Sequence, residues 1–240
     1  YTAGLPKNET TVIGEVSYDN NEVIKTYNGL SLRFSGRYFL EEDLALKASF
    51  NNSFQFKTGT IELGQGIATL QVPEGFKYLD GTQSNRVLTE LWGNPPQETM
   101  GLLFPNNSMV MGDDFTYAIE ITYSEEGYID DEDAADIDYD ELLETMQEDT
   151  KEQNQYRQEM GYGAIEMIGW ASEPFYDATT KKLHWAKELH FDGELENTLN
   201  YNIRILGRKG YLNMNAISYM EHLPLVQQNI DEIIAIDQGH

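Results

Sequence analysis

Two imidazoles and a carboxylate share one short stretch of this sequence, KLHWAKELHF, which contains His184, Glu188 and His190. Because side chains alternate across a strand, their even spacing predicts that all three lie on one face. Imidazole and carboxylate are ligands that zinc accepts. At ~3.3 Å per residue, however, His184 and His190 would lie about 20 Å apart on a straight strand, and His184 and Glu188 about 13 Å. The spacing therefore favours the polar face of a sheet over a zinc site on this strand alone.

An acidic segment from Asp130 to Asp140 is a second candidate for chemistry. Asp136, Asp138 and Asp140 have the alternating spacing of loops that bind hard cations, which makes Ca²⁺ the ion to consider. An EF-hand needs Gly at loop position six and Glu at position twelve, and counting from Asp136 those positions hold a Glu and a Gln. We interpret the segment as a solvated lead-in to a helix capped by Asp138 or Asp140, and weaker Ca²⁺ binding stays open.

A third candidate is the polar half of the segment LNYNIRILGRKG. Asn200, Asn202 and Arg204 alternate there with apolar residues, which predicts a strand with one polar and one apolar face. In so acidic a chain we expect Arg204 and Arg208 to pair with carboxylates, and the alternative is an anionic ligand. The candidate ligand site on this polar sheet face consists of Trp170, Glu173, His184, Asn202, Arg204 and Arg208.

The composition limits the class of partner. The chain of 240 residues is 40% apolar and has a formal net charge of −25. That charge repels phosphate backbones and anionic head groups, so we exclude nucleic acid and disfavour direct binding to anionic lipid. The chain has no cysteine, which excludes disulfides and thiolate chemistry. It also lacks the nucleophile-elbow, Walker, dinucleotide-binding and H-E-x-x-H motifs, so we lean against an enzyme and predict neither a catalytic residue nor a cofactor.

The elements that must position these residues form an α+β pattern. TIEL, GQG and IATLQV predict a hairpin, TQSNRVLTELW predicts a helix opening at Thr82, and GLLFP and FTYAIEITY predict core strands. A long helix follows the acidic segment, with Leu142, Leu143 and Met146 on its apolar face and Gly161 as its end. Four strands joined by short turns and a final helix complete the chain. This order predicts an antiparallel sheet flanked by helices.

We divide the chain after residue 57. Residues 1–57 are rich in Asn, Tyr, Ser and Thr with short alternating runs, which predicts a β-rich N-terminal extension or subdomain. Residues 58–240 hold the α+β domain. No run approaches the ~18 apolar residues of a membrane-spanning helix.

Several longer motifs appear in a fixed order along the second part of the chain. They are PEGFKYL, WGNPP, GLLFP, SEEGYIDDEDAADIDYDELL, an N-x-x-R at Asn154 and Arg157, GWASEPFYDATTKKLHWAKEL and LNYNIRILGRKGYLNMN. Together they resemble the bacterial family catalogued as domain of unknown function 2167. The order of strands and helices is also similar to that of PsbP-like domains, which is an analogy of fold alone.

The resemblance implies a location rather than a reaction. Its members are described as membrane-anchored, with a signal peptide, an extracytoplasmic domain and C-terminal transmembrane helices. This chain has neither hydrophobic end, so we interpret it as a trimmed, soluble part of such a protein. The resemblance implies no catalytic residue, cofactor or ligand.

The sequence therefore supports two hypotheses of function. In the first, the chain is the extracytoplasmic, periplasmic-side domain of a membrane-anchored bacterial envelope protein and binds an unknown protein or envelope component. In the second, it is an envelope enzyme or small-ligand receptor that uses the polar sheet face around Trp170, His184, Asn202 and Arg204. Calcium binding through Asp130–Asp140 is a narrower third hypothesis. The sequence does not indicate an oligomeric state.

Overall fold

The computed structural model describes most of the second part of the chain, together with residues 47–57 and three strands of the first part. The described ranges are 47–111, 114–125, 138–177, 182–206, 210–233 and 236–237. Only the backbone is described for 206, 231–233 and 236–237, and for the three N-terminal strands. These strands are β1 (Val16–Asp19), β2 (Glu22–Tyr27) and β3 (Leu30–Ser35), which pair antiparallel in that order. They lie in the region that the sequence predicted to be β-rich.

A seven-stranded antiparallel sheet forms the centre of the domain. Its strands in chain order are β6 (Phe76–Asp80), β7 (Gly101–Pro105), β8 (Tyr117–Ser124), β9 (Ile165–Asp177), β10 (Lys182–Phe191), β11 (Thr198–Leu206) and β12 (Tyr211–Tyr219). The order across the sheet is β6-β7-β8-β12-β11-β10-β9, and every pairing is antiparallel. Strand β9 is therefore an edge strand, and the four last strands are neighbours as predicted.

Helices and a small sheet surround the central sheet, and residues 47–52 form a short helical segment ahead of them in the described chain. The helices are α1 (Gly81–Arg86), which continues into a π-helical turn at Val87–Leu91, α2 (Tyr139–Glu159) and α3 (Leu223–Ile233), which follows a 3₁₀ turn at Met220–His222. The small sheet is built from β4 (Thr60–Leu63), β5 (Ala68–Gln71) and β13 (Ile236–Asp237), with β5 in the middle. None of the described helices is long and apolar enough to cross a bilayer.

The two faces of the central sheet are covered differently. On one face, the small sheet and α3 pack over the apolar sides of β8, β10, β11 and β12, in a cluster that includes Leu70, Val226 and Ile203. On the other face, α1 and its π-helical turn cover β7 and β8, and α2 lies over β9 and β10. The α+β prediction, with an antiparallel sheet flanked by helices, is confirmed.

The local predictions mostly hold, with one correction at a helix start. The hairpin forms as β4 and β5. The first helix begins at Gly81 instead of Thr82, because the Asp80 carboxylate accepts a hydrogen bond from the Gln83 amide at 3.1 Å and acts as the N-cap. At the second helix Asp138 is the N-cap, as predicted, and Gly161 follows its end with φ 81°.

Candidate functional site

The polar face of the central sheet contains a buried row of side chains. The strand register places Glu120 opposite Asn215, Asn215 opposite Asn202, and Asn202 opposite Trp185, across β8, β12, β11 and β10. Glu120, Asn202 and Asn215 are exposed by 2%, 4% and 2%. The alternation of polar and apolar residues was therefore predicted correctly, but the polar face is inside the protein.

Hydrogen bonds connect Asn202 and Asn215 of this row to Asn200, whereas Glu120 bonds to Gln97. Asn215 Nδ2 donates to Asn200 Oδ1 at 2.9 Å, and Asn202 Nδ2 donates to the Asn200 carbonyl at 3.0 Å. Gln97 Nε2 donates to Glu120 Oε1 at 2.6 Å. Burial raises the pKa of Glu120 to about 7, although the bond from Gln97 favours the charged carboxylate. Asn215 Oδ1 is buried and accepts no hydrogen bond from the described residues.

Arg204 lies beside this row and contacts aromatic rings. Its guanidinium carbon is 4.9 Å from the centroid of the Trp185 ring and 4.5 Å from that of Tyr211, which are cation–π distances. Its Nε is buried and donates no hydrogen bond to any residue that the structure describes. No carboxylate among the described residues forms an ion pair with Arg204. The expected carboxylate partner is thus replaced by two rings, and Arg208 lies outside the described residues.

Lys187 is the second cation on this face. It lies on β10 between Trp170 of β9 and Asn200 of β11, and is only 8% exposed. No described residue accepts a hydrogen bond from its ammonium or forms an ion pair with it. Burial and, less strongly, the charge of Arg204 lower the pKa of Lys187 to about 8.

The Lys187 side chain borders a cleft of about 130 Å³ between α2 and the sheet. Lys187 and Ile165 contribute the sheet side of the cleft. The helix side is a stripe of residues at helical spacing: Met146, Asp149, Thr150, Gln153, Asn154 and Arg157. Beyond Met146 this stripe is polar, although it faces the sheet. None of the 21 residues of α2 is buried, so the helix covers the sheet without closing over it.

Few contacts attach α2 to the sheet. Leu143 and Met146 pack against the cluster of Ile165, Met167, Leu189 and Phe191. Polar contacts join the two elements along their length, and α2 runs antiparallel to β9. Trp170 Nε1 donates to the Tyr139 carbonyl at 3.2 Å, and Gln147 Nε2 donates to the Met167 carbonyl at 3.1 Å. Asn154 forms two hydrogen bonds with the Ile165 backbone. Arg157 Nε donates to the Gly163 carbonyl at 2.8 Å.

The structure separates the residues that the sequence grouped into one ligand site. Trp170, Asn202 and Arg204 do share the polar face. His184 lies on the opposite face, because the register places it beside Ile203, and it stacks on Phe175 at 4.8 Å between ring centroids. Glu173 is exposed on the edge strand. A strand has two faces, and the sequence grouping placed His184 on the wrong one relative to Arg204.

Glu188 and His190 are bridged by an amide. Asn197 Nδ2 donates to Glu188 Oε1 at 2.6 Å, and Asn197 Oδ1 lies 2.9 Å from His190 Nδ1. In the part of the chain that the structure describes, no three His, Asp or Glu side chains converge as metal ligands.

In the acidic segment, the structure describes only its helical end. Asp138 Oδ1 accepts hydrogen bonds from the Asp140 amide at 3.0 Å and from the Glu141 amide at 3.2 Å, which is the geometry of an N-cap. Asp136 lies outside the described residues. Calcium binding by this segment stays a prediction.

A family profile matches the chain over residues 55–238, and its description reads "Protein of unknown function (DUF2167)". The chain belongs to this family. No curated protein matches the chain. Among solved structures, the DUF2167 domain is similar to the solution structure of cyanobacterial PsbP (CyanoP) from Synechocystis sp. PCC 6803. That match has 12% identity and a TM-score of 0.40, and covers 78% of this chain and 92% of that one. It is a match of fold and extends to no ligand or activity.

Sequence reasoning did not single out Lys187, which the structure of the DUF2167 domain places buried at the cleft. The signal was present in KLHWAKELHF, where Lys187 shares its strand face with Trp185 and Leu189, two residues that belong in a core. The N-x-x-R motif was noted for the family resemblance alone. In the structure Asn154 and Arg157 both attach α2 to the beginning of β9 and its preceding turn.

Proposed function

We propose that this DUF2167 domain is a ligand-binding module, carried on the extracytoplasmic side by a membrane-anchored bacterial envelope protein. The location rests on the motifs that resemble a family of membrane-anchored proteins. The binding role rests on one observation: Lys187 is buried at the cleft beneath α2 and has no partner among the described residues. The proposal combines the two hypotheses drawn from the sequence, an envelope binding module and a small-ligand receptor. It places the ligand site at the cleft instead of on the polar row.

A buried amine without a partner destabilises the folded state, and this is why Lys187 indicates a function. Moving a charged group from water into a protein interior without a compensating partner destabilises the fold by several kcal/mol. An apolar residue of similar length would avoid this cost at position 187. Groups with strongly perturbed pKa values that border a cleft are candidates for binding or catalysis. We therefore assign the Lys187 ammonium to ligand contact.

The attachment of α2 supports entry of a ligand at this place. A helix with no buried residue contributes little apolar burial to its own docking, and of its described residues only Leu143 and Met146 pack against an apolar cluster of the sheet. Elements with few buried contacts open at lower free energy than the rest of a fold. Partial separation of α2 would widen the cleft beyond about 130 Å³ without disturbing the central sheet.

Blocking the cleft tests this function. Gln153 lines the cleft, is exposed, and forms no hydrogen bond with a described residue, so Gln153→Trp fills the space without removing a contact. We expect compounds from a library of small polar molecules to shift the amide NMR signals of Lys187, Asn154 and Ile165, and Gln153→Trp to abolish these shifts. The matched control is Gln155→Trp, an exposed position that does not line the cleft. Ligands whose shifts map elsewhere, or persist in Gln153→Trp, would contradict the proposal.

A further inference from the structure

We propose that the anchoring group of the ligand is an anion of the carboxylate or phosphate class, held at the sheet side of the cleft by the Lys187 ammonium. This inference rests on the proposed function of the cleft and specifies the chemistry of its ligand.

Positively charged side chains lie at and beside the cleft, although the chain as a whole is strongly acidic. The chain has 41 acidic residues and 16 Lys and Arg, yet Lys187 and Arg157 both line the cleft and Arg204 lies near enough to Lys187 for repulsion. No carboxylate among the described residues forms an ion pair with any of the three. Arg204 contacts aromatic rings and Arg157 donates to the Gly163 carbonyl, so Lys187 is the cation of the three that no described group compensates. A partner from outside the chain would compensate it.

The donors of the residues that line the cleft suit an anion. An ammonium has three N–H donors and no acceptor, and all three of Lys187 are without a described partner. Arg157 uses Nε for the Gly163 carbonyl, which leaves its Nη groups without a described acceptor. Asp149 is the one carboxylate in the lining, and it is exposed on the helix side, so it lies at the mouth. Carboxylate and phosphate oxygens are the acceptors that such charged donors bind most strongly.

The protonation state of Lys187 favours an anion over a carbonyl compound. With the pKa lowered to about 8, the amine is protonated in about ten molecules for each neutral one at pH 7. Attack on an aldehyde or ketone requires the neutral amine, which is the minor form. A bound anion, by contrast, stabilises the form that is already present.

The volume of the cleft limits the size of the anchored group. Pockets that enclose whole drug-sized ligands measure about 300–1,000 Å³. A space of about 130 Å³ admits a group of a few heavy atoms, such as a carboxylate or a phosphate. The ligand is therefore a small acid, or the acidic end of a larger molecule whose remainder lies outside the cleft.

Titration with simple anions tests the inference on the 240-residue chain. The probes are sodium phosphate and sodium acetate, with sodium chloride holding the ionic strength constant and glycerol as a neutral probe. We expect at least one anion to shift the amide signals around Lys187 and Ile165 saturably. Lys187→Met should weaken that binding by about tenfold or more, as expected for loss of a charged hydrogen-bond donor. Lys151→Met, an exposed position on α2 that does not line the cleft, removes the same charge and should leave the affinity unchanged.

The possible outcomes distinguish a failure of the anion inference from a failure of the proposed ligand-binding function. Equal anion binding by the wild type and Lys187→Met, or no saturable anion effect at all, overturns the inference. If neutral compounds nevertheless shift the cleft signals and Gln153→Trp abolishes those shifts, the binding function stands with a neutral ligand. If no probe of either kind reaches the cleft, both proposals fail. Well-dispersed spectra of Lys187→Met confirm that the variant is folded and that its loss of binding is local.

Discussion

Asn154 on α2 completes the backbone hydrogen bonding of Ile165, the first residue of the edge strand β9. Its Nδ2 donates to the Ile165 carbonyl at 2.7 Å, and its Oδ1 accepts from the Ile165 amide at 2.8 Å. The two bonds reproduce what a neighbouring antiparallel strand would supply, so one side chain covers part of an exposed sheet edge. Because no residue of α2 is buried, this clamp is a major part of what holds the helix over the cleft.

Removing the clamp is expected to loosen α2 while the sheet persists. Asn154→Ala deletes two hydrogen bonds at about 1 kcal/mol each, so we predict a loss of about 2 kcal/mol in the free energy of unfolding. Amide exchange of Ile165 and of α2 should accelerate more than that of β11 and β12. Urea denaturation and hydrogen exchange measure the two effects. Gln155→Ala, at an exposed position nearby, should change neither, and unchanged exchange at Ile165 in Asn154→Ala would contradict the role of the clamp.

Replacing Lys187 by an apolar residue is expected to stabilise the protein. Since the pKa of Lys187 is lowered from 10.5 to about 8, the folded state disfavours the charged amine, and the native protein is destabilised below that pKa. The difference corresponds to about 3 kcal/mol at pH 7. Lys187→Met should therefore raise the free energy of unfolding at pH 7 by about 2–3 kcal/mol, measured by urea denaturation, and should lose the anion response.

The pH dependence supplies the control for this variant. Because the pKa of Lys187 is lower in the folded than in the unfolded state, its contribution to stability is fully present above pH 10.5, the unfolded pKa. That contribution is lost as the pH falls through about 8, the folded pKa. The advantage of Lys187→Met over the wild type should accordingly shrink as the pH rises from 8 towards 10.5. An advantage that is equal at pH 7 and pH 10 would mean that packing, and not charge, causes it. Lys151→Met should give no comparable gain at either pH.

The fold could be predicted from the sequence because its signals are local. Alternation in TLNYNIRIL and in the strands around it encodes β structure, and short turns between these strands encode antiparallel neighbours. The N-cap at Asp138 and the end of α2 at Gly161 also depend on residues within a turn of the chain. Such features need no knowledge of what the segment packs against.

The site could not be predicted because it depends on which elements meet. The alternation of polar and apolar residues indicates that Asn202 and Arg204 share a strand face, but it does not indicate that this face is inside the protein. The relative facing of β10 and β11 is set by their register, which places His184 beside Ile203 and Lys187 beside Asn200. The polar stripe of α2 reads as solvated in the sequence, since nothing local reveals that it faces the sheet.

The N-cap at Asp138 provides a way to separate its structural role from calcium binding. Asp138→Ala removes the acceptor for the Asp140 and Glu141 amides and should lower the free energy of unfolding by about 1 kcal/mol. Asp138→Asn keeps a good cap and should change stability by a few tenths of a kcal/mol. If the side chain serves only as a cap, millimolar Ca²⁺ should shift Tm equally in Asp138→Asn and in the wild type. A Ca²⁺-dependent rise in Tm that disappears in Asp138→Asn would instead support a cation site.

Glu120 should make the stability of the wild type fall as the pH rises through neutrality. Burial raises its pKa from 4.5 to about 7, so the folded state prefers the protonated acid. Because the pKa is raised in the folded state, the contribution of Glu120 to stability is fully present below pH 4.5 and is lost as the pH rises through about 7. The free energy of unfolding falls by about 3 kcal/mol over this range. Glu120→Gln removes this titration and keeps an acceptor for Gln97. Urea denaturation at pH 5 and pH 8 should show a smaller difference for Glu120→Gln than for the wild type.

The neighbouring amide strengthens this expectation. Asn215 lies opposite Glu120 in the register, and its buried Oδ1 has no donor among the described residues. A protonated Glu120, or the Nε2 of a glutamine at position 120, could supply one. Glu120→Gln should therefore be more stable than the wild type at pH 8. The exposed Glu62→Gln removes one negative charge from the small sheet and should leave the wild-type pH dependence in place. If Glu120→Gln and the wild type lose the same free energy between pH 5 and pH 8, the carboxyl of Glu120 stays charged in the folded state and the dependence originates elsewhere.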